Sequence, residues 1–319
     1  MKKAAAKALT LRTGLGGKES EKRMIAIICN PVSGNAEKTR RVCEEVGRIL
    51  LQRGLDCRII YSDGPGRASF LAAEAVGNGC DTVIAMGGDG TVSEIAGALA
   101  GKDAAMAIIP TGTGNDYCKT LKIPLDPMKA LEVFLKEPAR GTDAGVINGR
   151  VFVNEIGTGF DVDVLRRSEG FRKHMNGLLP YLLGVLSALI HYRTYRVTLK
   201  TDPGTESEEE LTVFSVALGK IIGGGIPIAP KAIPYDGLFD VSGVRRIKKT
   251  KLPGRLLGLM KGKILDFPET FSLRAKSVVF GAPGMFVNVD GEILEMEKAE
   301  VSILLGALRI HRPAGDEEV

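Results

Sequence analysis

Asp81-Thr82-Val83-Ile84-Ala85-Met86-Gly87-Gly88-Asp89-Gly90-Thr91 is a short apolar, β-branched run that stops on a glycine-rich turn carrying one carboxylate. A run this continuously apolar suits a strand buried on both faces, as in a parallel sheet. Residues 92–100 then carry apolar side chains at helical spacing, so the turn joins a strand to a helix. The alternation extends both ways, with strand-like runs at 24–29, 56–61 and 104–109 and helical patterns at 36–53 and 67–78. Repeated βαβ alternation predicts an α/β domain built on a parallel sheet with helices on both faces.

Two further strand ends finish in turn-forming sequence, Asn30-Pro31-Val32-Ser33-Gly34 and Pro110-Thr111-Gly112-Thr113-Gly114-Asn115-Asp116. In open α/β sheets ligands sit beyond the carboxyl ends of the strands, so all three turns would face one crevice. Glycines let backbone N–H groups approach phosphate oxygens, and the helix expected near Val92 adds the positive end of its dipole. Asp89 could then orient Mg²⁺ between phosphates. One such turn is as readily an ordinary tight turn; three at successive strand ends point to a nucleotide. The chain has no G-x-x-x-x-G-K-[ST] run, and no G-x-G-x-x-G follows the first strand, which argues against P-loop and Rossmann sites.

From about Gly141 the pattern changes to short strands separated by Gly, Asp and Asn turns, at 150–156, 195–201, 211–219, 238–244, 276–280, 285–289 and 300–309. One helical insertion, about 164–191, interrupts them, and Glu206, Glu208, Glu209 and Glu210 look like a solvated hairpin tip. A mostly antiparallel β-sandwich is expected. The domain reading is a tail at 1–23, a nucleotide-binding α/β domain at 24–140, a β-sandwich substrate domain at 141–312 and a second tail at 313–319.

Asn288-Val289-Asp290-Gly291-Glu292 reads as a strand entering a tight turn that presents two carboxylates. A bare D-G-E is ordinarily a hairpin tip, yet either Asp290 or Glu292 could serve as a general base. His174, His191 and His311 form no triad or metal-ligand pattern, so any metal chemistry rests on oxygen ligands.

Composition narrows the partners. The 319 residues carry a formal charge of +5 and a pI near 8.9, but the chain has no Trp and few aromatics to interleave with a basic stripe, which disfavours nucleic acid. Five cysteines without C-x-x-C spacing suit a reducing cytosol rather than disulfides or zinc. Residues 1–23 lack an apolar core of useful length, so no signal peptide is expected. The longest apolar run, 178–190, contains Pro180 and is too short to span a bilayer, leaving peripheral membrane contact. Two segments suit such contact. At 164–196, Arg166, Arg167, Arg172, Lys173 and His174 precede apolar Leu178 to Ile190, as in a basic interfacial helix. At 245–263, Arg245, Arg246, Lys248, Lys249, Lys251, Arg255, Lys261 and Lys263 accompany Leu252, Leu256, Leu257, Leu259 and Met260 without an acidic residue. Ordinary packing helices and solvated faces are the competing readings. A homodimer is compatible with the composition.

The run Gly87 to Thr91 with Glu94 resembles the nucleotide signature of diacylglycerol, sphingosine and ceramide kinases and, more distantly, of NAD kinases and phosphofructokinases. Asn30-Pro31-x-Ser33-Gly34, Gly112 to Asp116, Gly223-Gly224-Gly225, Ala229-Pro230-x-Ala232 and Asp236-Gly237 narrow the resemblance to the lipid-kinase branch, over roughly residues 24–310. That resemblance implies ATP as co-substrate and Mg²⁺ as cofactor, with a lipid acceptor, most readily diacylglycerol, met at the membrane surface. It implies that Asn30, Ser62, Gly87, Gly88, Asp89, Gly90, Thr91, Glu94 and Thr113 hold the nucleotide, and that Asp89 and Asp143 organise the active-site ion. Asp236 and the Leu238 carbonyl match a second, structural metal site, although Ile233 stands where some members have an acidic or polar residue. Under the resemblance Asp290 or Glu292 becomes the catalytic base. An NAD kinase-like enzyme and a catalytically silent nucleotide or lipid sensor are the alternatives.

Overall fold

The computed structural model describes residues 9–11, 24–31, 36–172, 175, 179–202, 204 and 206–315. The chain divides into two units, one comprising Met1–Ala144 with Leu305–Val319 and the other Gly145–Leu304.

The first unit runs β1 (Leu9–Leu11), β2 (Met24–Cys29), α1 (Ala36–Gln52), β3 (Asp56–Tyr61), α2 (Arg67–Gly77), β4 (Thr82–Gly87), α3 (Asp89–Leu99), β5 (Ala105–Pro110), α4 (Asp116–Thr120), α5 (Pro127–Lys136) and β6 (Ala139–Ile147), which crosses into the second unit. Strand order is β1-β3-β2-β4-β5. β2 pairs in parallel with β3, Met24 opposite Asp56, and with β4, Ile25 opposite Thr82; β4 pairs in parallel with β5. All of β4 and β5 is buried, which explains why their sequences carry no polar alternation. α1 buries Thr39, Cys43, Val46, Gly47 and Leu50 along one stripe, into a core with Ile25, Ile27, Ile59 and Ile84. At α5, Asp126 caps the N-terminus by accepting from the N–H groups of Met128 and Lys129, with Pro127 at the first helical position. The five cysteines are buried free thiols.

The second unit contains β7 (Arg150–Phe152), β8 (Glu155–Gly159), α6 (Phe160–Arg172), α7 (Leu179–Ile190), β9 (Tyr195–Thr201), β10 (Glu206–Ala217), β11 (Phe239–Arg245), α8 (Leu252–Met260), β12 (Thr270–Ala275), β13 (Ser277–Val289) and most of β14 (Glu292–His311). Its pairings are antiparallel: β10 lies between β8 and β11, β11 beside β12, and β13 against β14 from Ser277 opposite Ser302 to Val289 opposite Glu292. Two apolar clusters form its core, one around Phe152, Phe214, Phe239 and Phe280, the other around Phe160, Val213, Val244 and Phe267.

Several expectations shift. Within the presumed tail at 1–23, Leu9–Leu11 is an edge strand, with Leu9 opposite Ile59. Residues 305–312, expected in the second domain, belong to the first unit, because β14 continues without a turn until Arg309 and Ile310 lie parallel to Ala105 and Met106. The two strands expected at 276–280 and 285–289 are one strand with an irregularity between Gly281 and Met285, which a local turn signal at Pro283-Gly284 disguises. Glu206 to Glu210 is not a tip but part of strand β10, with Glu208 ion-paired to Arg196 and Glu209 to Arg245. The helical insertion is two helices, α6 and α7.

Candidate functional site

The first unit gathers its turns at the carboxyl ends of β2, β4 and β5. Asn30 leaves β2 with its N–H bonded to the Met86 carbonyl, and its side-chain amide donates to Thr91 Oγ1 at 3.2 Å. Thr91 folds back over Gly87, where a Cβ would lie 2.5 Å from its hydroxyl. Thr111 N–H bonds to the Gly87 carbonyl. A Cβ on Gly112 would sit 2.4 Å from Gly88 Cα, so the second and third turns approach at a distance only glycine allows. Gly88 is the N-cap of α3 and no side chain caps that helix, which leaves its first N–H groups to serve an anion. Thr113 lies exposed on the third turn.

Asp89 starts α3 rather than preceding it, and its Oδ1 accepts from Tyr117 N–H at 3.1 Å. Burial pushes its carboxyl above the usual carboxylate range and neighbouring Asp116 adds to this, against the Tyr117 N–H. Asp116 is itself paired with Lys119 at 2.9 Å. Half-buried Asp89 and buried Asp116 beside uncapped helix N–H groups favour a divalent ion carried in on phosphates, so the residues here fit Mg²⁺. Among the described residues no three His, Cys, Asp or Glu side chains converge as an all-protein metal cage.

The other expected residues of this unit lie differently. Ser62 is buried, with its hydroxyl donating to the Gly64 carbonyl. Both carboxylate oxygens of Glu94 are taken, by the N–H groups of Gly66 at 2.8 Å and Ala68 at 3.0 Å, so Glu94 caps α2, whose own N-cap is a glycine. Asp143 accepts from Gly306 N–H at 2.7 Å. Thr111 and Asn115 were not among the expected ligands. Yet Thr111 Oγ1 and Asn115 Oδ1 are buried without a hydrogen-bond partner, and Asn115 adopts φ 52° while its amide donates to the Gly112 carbonyl. Their place in the Pro110 to Asp116 turn was the signal available. Ser33 and Gly34 lie outside the described residues.

In the second unit the two carboxylates of the D-G-E turn have opposite surroundings. Asp290 holds φ 48° and accepts three backbone hydrogen bonds, from Val153 at 2.8 Å, Asn154 at 2.9 Å and Glu155 at 3.0 Å, while its own N–H donates to the Glu155 carbonyl. Gly291 N–H donates to Asn288 Oδ1 at 2.9 Å. The turn is thereby fastened to β8. Glu292 points outward and pairs with Arg150, which holds its carboxyl below the ordinary glutamate range.

Beside this turn, sequence reading missed a buried acidic pair. A Cβ on Gly157 would lie 2.5 Å from Glu155 Oε1 and 2.8 Å from Asp161 Oδ2, so both carboxylates lean over one glycine. Burial, then the charge of Asp161, pushes Glu155 well above its usual range, and burial lifts Asp161 to about 6.

The expected structural metal site does not fit a metal. Asp236 Oδ1 accepts from Leu238 N–H at 3.1 Å and Oδ2 is paired with Arg274, so a guanidinium already neutralises that carboxylate.

A profile described as the diacylglycerol kinase catalytic domain matches residues 24–147. One described as the YegS C-terminal NAD kinase beta sandwich-like domain matches residues 154–312. A Pseudomonas aeruginosa protein named "Probable lipid kinase YegS-like" is 35% identical over 305 residues, covering 92% of this chain and 95% of its own. A Mycobacterium tuberculosis protein named "Diacylglycerol kinase" is 32% identical over 295 residues, covering 91% and 95%. Among solved structures, a diacylglycerol kinase from Bacillus anthracis superposes with a TM-score of 0.68 at 22% identity, covering 94% of this chain and all of that one. An NAD kinase from Archaeoglobus fulgidus gives 0.51 at 15% identity, covering 88% and 90%; both are likenesses of fold.

Proposed function

The chain belongs to the diacylglycerol kinase catalytic-domain family and is a lipid kinase, and from that premise we propose that it transfers the γ-phosphoryl group of ATP to diacylglycerol, giving phosphatidic acid. The observation that carries this reading is the contrast within the D-G-E turn. Asp290 is occupied by three N–H groups, whereas Glu292 stands on the rigid turn with an outward carboxylate kept ionised by Arg150.

Glu292 is the proposed general base. It takes the proton of the acceptor hydroxyl as that oxygen bonds to the γ-phosphorus; the bond to the β,γ-bridging oxygen breaks and ADP leaves. The proton then rests on Glu292. Asp290 keeps that carboxylate in place. On the nucleotide side, the Gly87 to Thr91 turn and the α3 N-terminus are proposed to receive phosphate oxygens, with Asn30, Ser62, Thr91 and Thr113 bounding the site, joined by Thr111 and Asn115. Mg²⁺, when bound, supplies charge neutralisation on the transferring group. Asp89 is the side chain proposed to hold it, with Asp143 ordering its waters, while Glu94 supports the site by capping α2.

Peripheral docking on the membrane fits the second unit. Leu179, Leu182, Leu186 and Ile190 form one stripe of α7 and are each between 51% and 62% exposed. Leu257 and Met260 of α8 are equally exposed. Lys249 donates to the Ile190 carbonyl at 3.4 Å, which places the exposed Lys248, Lys249 and Lys251 at the end of that stripe. Not all the cations counted in the sequence are available. Arg245, Arg246 and Arg255 are paired with glutamates, Arg166 lies over Phe286, and Arg167 donates to Ser187. Lys173, His174 and Leu178 lie outside the described residues. Among those described, no helix is long and apolar enough to cross a membrane.

The deciding experiment is Mg²⁺-dependent transfer of label from γ-labelled ATP to diacylglycerol in anionic mixed micelles, with total lipid extract and NAD alongside and Asp89→Ala as the blank. Label in phosphatidic acid that disappears in the variant supports the proposal. Label in another lipid changes the acceptor, label in NAD replaces it with the dinucleotide reading, and no label favours a sensor.

A further inference from the structure

We propose that Arg274 replaces the divalent ion at Asp236, so that the second unit is tied together by a guanidinium and takes no structural metal. Asp240 on β11 and Arg274 on β12 are direct cross-strand partners. From that position the guanidinium reaches two carboxylates, contacting Asp236 Oδ2 through one terminal nitrogen and approaching Asp240 Oδ2 to 3.7 Å through Nε. Asp236 sits in the turn that leads into β11, with Gly237 at φ 79°. One side chain thus links the entering turn, β11 and the neighbouring strand, the work a bound ion would do.

The local charge argues the same way. The Asp236 carboxylate is already neutralised by the Arg274 guanidinium, which also approaches Asp240. A divalent ion entering there would have to displace a planar donor from its acceptor. Its ligand set is also poor. Ile233 contributes no polar side chain, Asp236 Oδ1 already accepts from Leu238 N–H, and among the described residues no group of three ligating side chains surrounds the site. An arginine is always charged, so this cation is present whatever the ion concentration.

The test follows thermal unfolding of the full chain without nucleotide, in chelator and in millimolar Mg²⁺, Ca²⁺ or Mn²⁺. Anything that binds only the folded state raises the midpoint with its concentration. The wild-type midpoint should be the same in all four conditions. Arg274→Gln should lower it by about 2–4 °C in chelator and recover part of that fall in divalent ion, because two carboxylates are then left without their cation. Arg274→Lys should stay indifferent to ions. A divalent-dependent rise in the wild type that is lost in Asp236→Asn overturns the proposal, as does Arg274→Gln matching wild type in every condition. Should the Gln variant not fold, the wild-type and Asp236→Asn titrations decide alone. No arm reads catalysis, so the outcome stands apart from the choice of lipid acceptor.

Discussion

Asp290→Asn and Glu292→Gln should separate into a stability variant and an activity variant. Asparagine tolerates the left-handed backbone at 290, so the change isolates the carboxylate. An amide offers one acceptor oxygen and turns an NH₂ donor toward a backbone N–H that had been bonded to oxygen. A hydrogen bond to a charged group is worth about 1.5–3 kcal/mol, and a stranded buried donor costs a similar amount. The loss should be roughly 2–3 kcal/mol, a fall of about 4–12 °C in the unfolding midpoint of a unit this size. Glu292 forfeits only a solvent-accessible ion pair with Arg150, worth about 0.5 kcal/mol. Its glutamine variant should unfold like wild type while kcat falls by about 10²–10⁴ at saturating lipid. Since Arg150 is the main cause that lowers the Glu292 carboxyl, Arg150→Ala should move the acid limb of the pH–rate profile to higher pH. Thermal unfolding and initial rates on the same preparations suffice. A Glu292→Gln enzyme that turns over normally, or an Asp290→Asn chain as stable as wild type, refutes this division of labour.

Gly112→Ala forces a methyl group against Gly88 Cα at 2.4 Å, so the KM for ATP should rise at least tenfold while the α/β unit stays folded by circular dichroism. Asp161→Asn should remove a pH-dependent loss of stability. A carboxyl lifted to about 6 in the fold contributes stability that is present below its unfolded value near 4 and lost as pH rises through about 6. The wild-type midpoint should therefore decline between about pH 4 and 7, and the asparagine variant should lessen that decline; equal slopes would exclude Asp161 as a source. Leu182→Glu with Leu186→Glu should abolish sedimentation with anionic vesicles and leave phosphorylation of a short-chain, monomeric diacylglycerol intact. Loss of both activities would mean that α7 supports the fold rather than docking it.

What was legible in the sequence was local, and what was hidden was set by partners distant along the chain. The glycine turns could be read because backbone approach to phosphate demands glycine at fixed positions after a strand, and Gly87, Gly88 and Gly112 sit where the close approaches occur. The D-G-E turn was equally readable as a turn, but the sequence could not rank its carboxylates. The donors that occupy Asp290 come from Val153, Asn154 and Glu155, well over a hundred residues upstream. Glu94 looked like part of a nucleotide signature for the same reason, since the N–H groups it caps belong to the start of another helix.

Arg274 carries the point furthest. Read alone, it is one of many surface cations on an alternating strand, and Asp236-Gly237-Leu238 is an ordinary Asx turn. Only the antiparallel register that sets Arg274 opposite Asp240 shows that two carboxylates share one guanidinium. On the proposal made above, the motif's aspartate is neutralised by a cation that the neighbouring strand supplies. Whether the ion is retained in this chain then turns on Arg274, whose cross-strand partner is Asp240 rather than the motif's own Asp236.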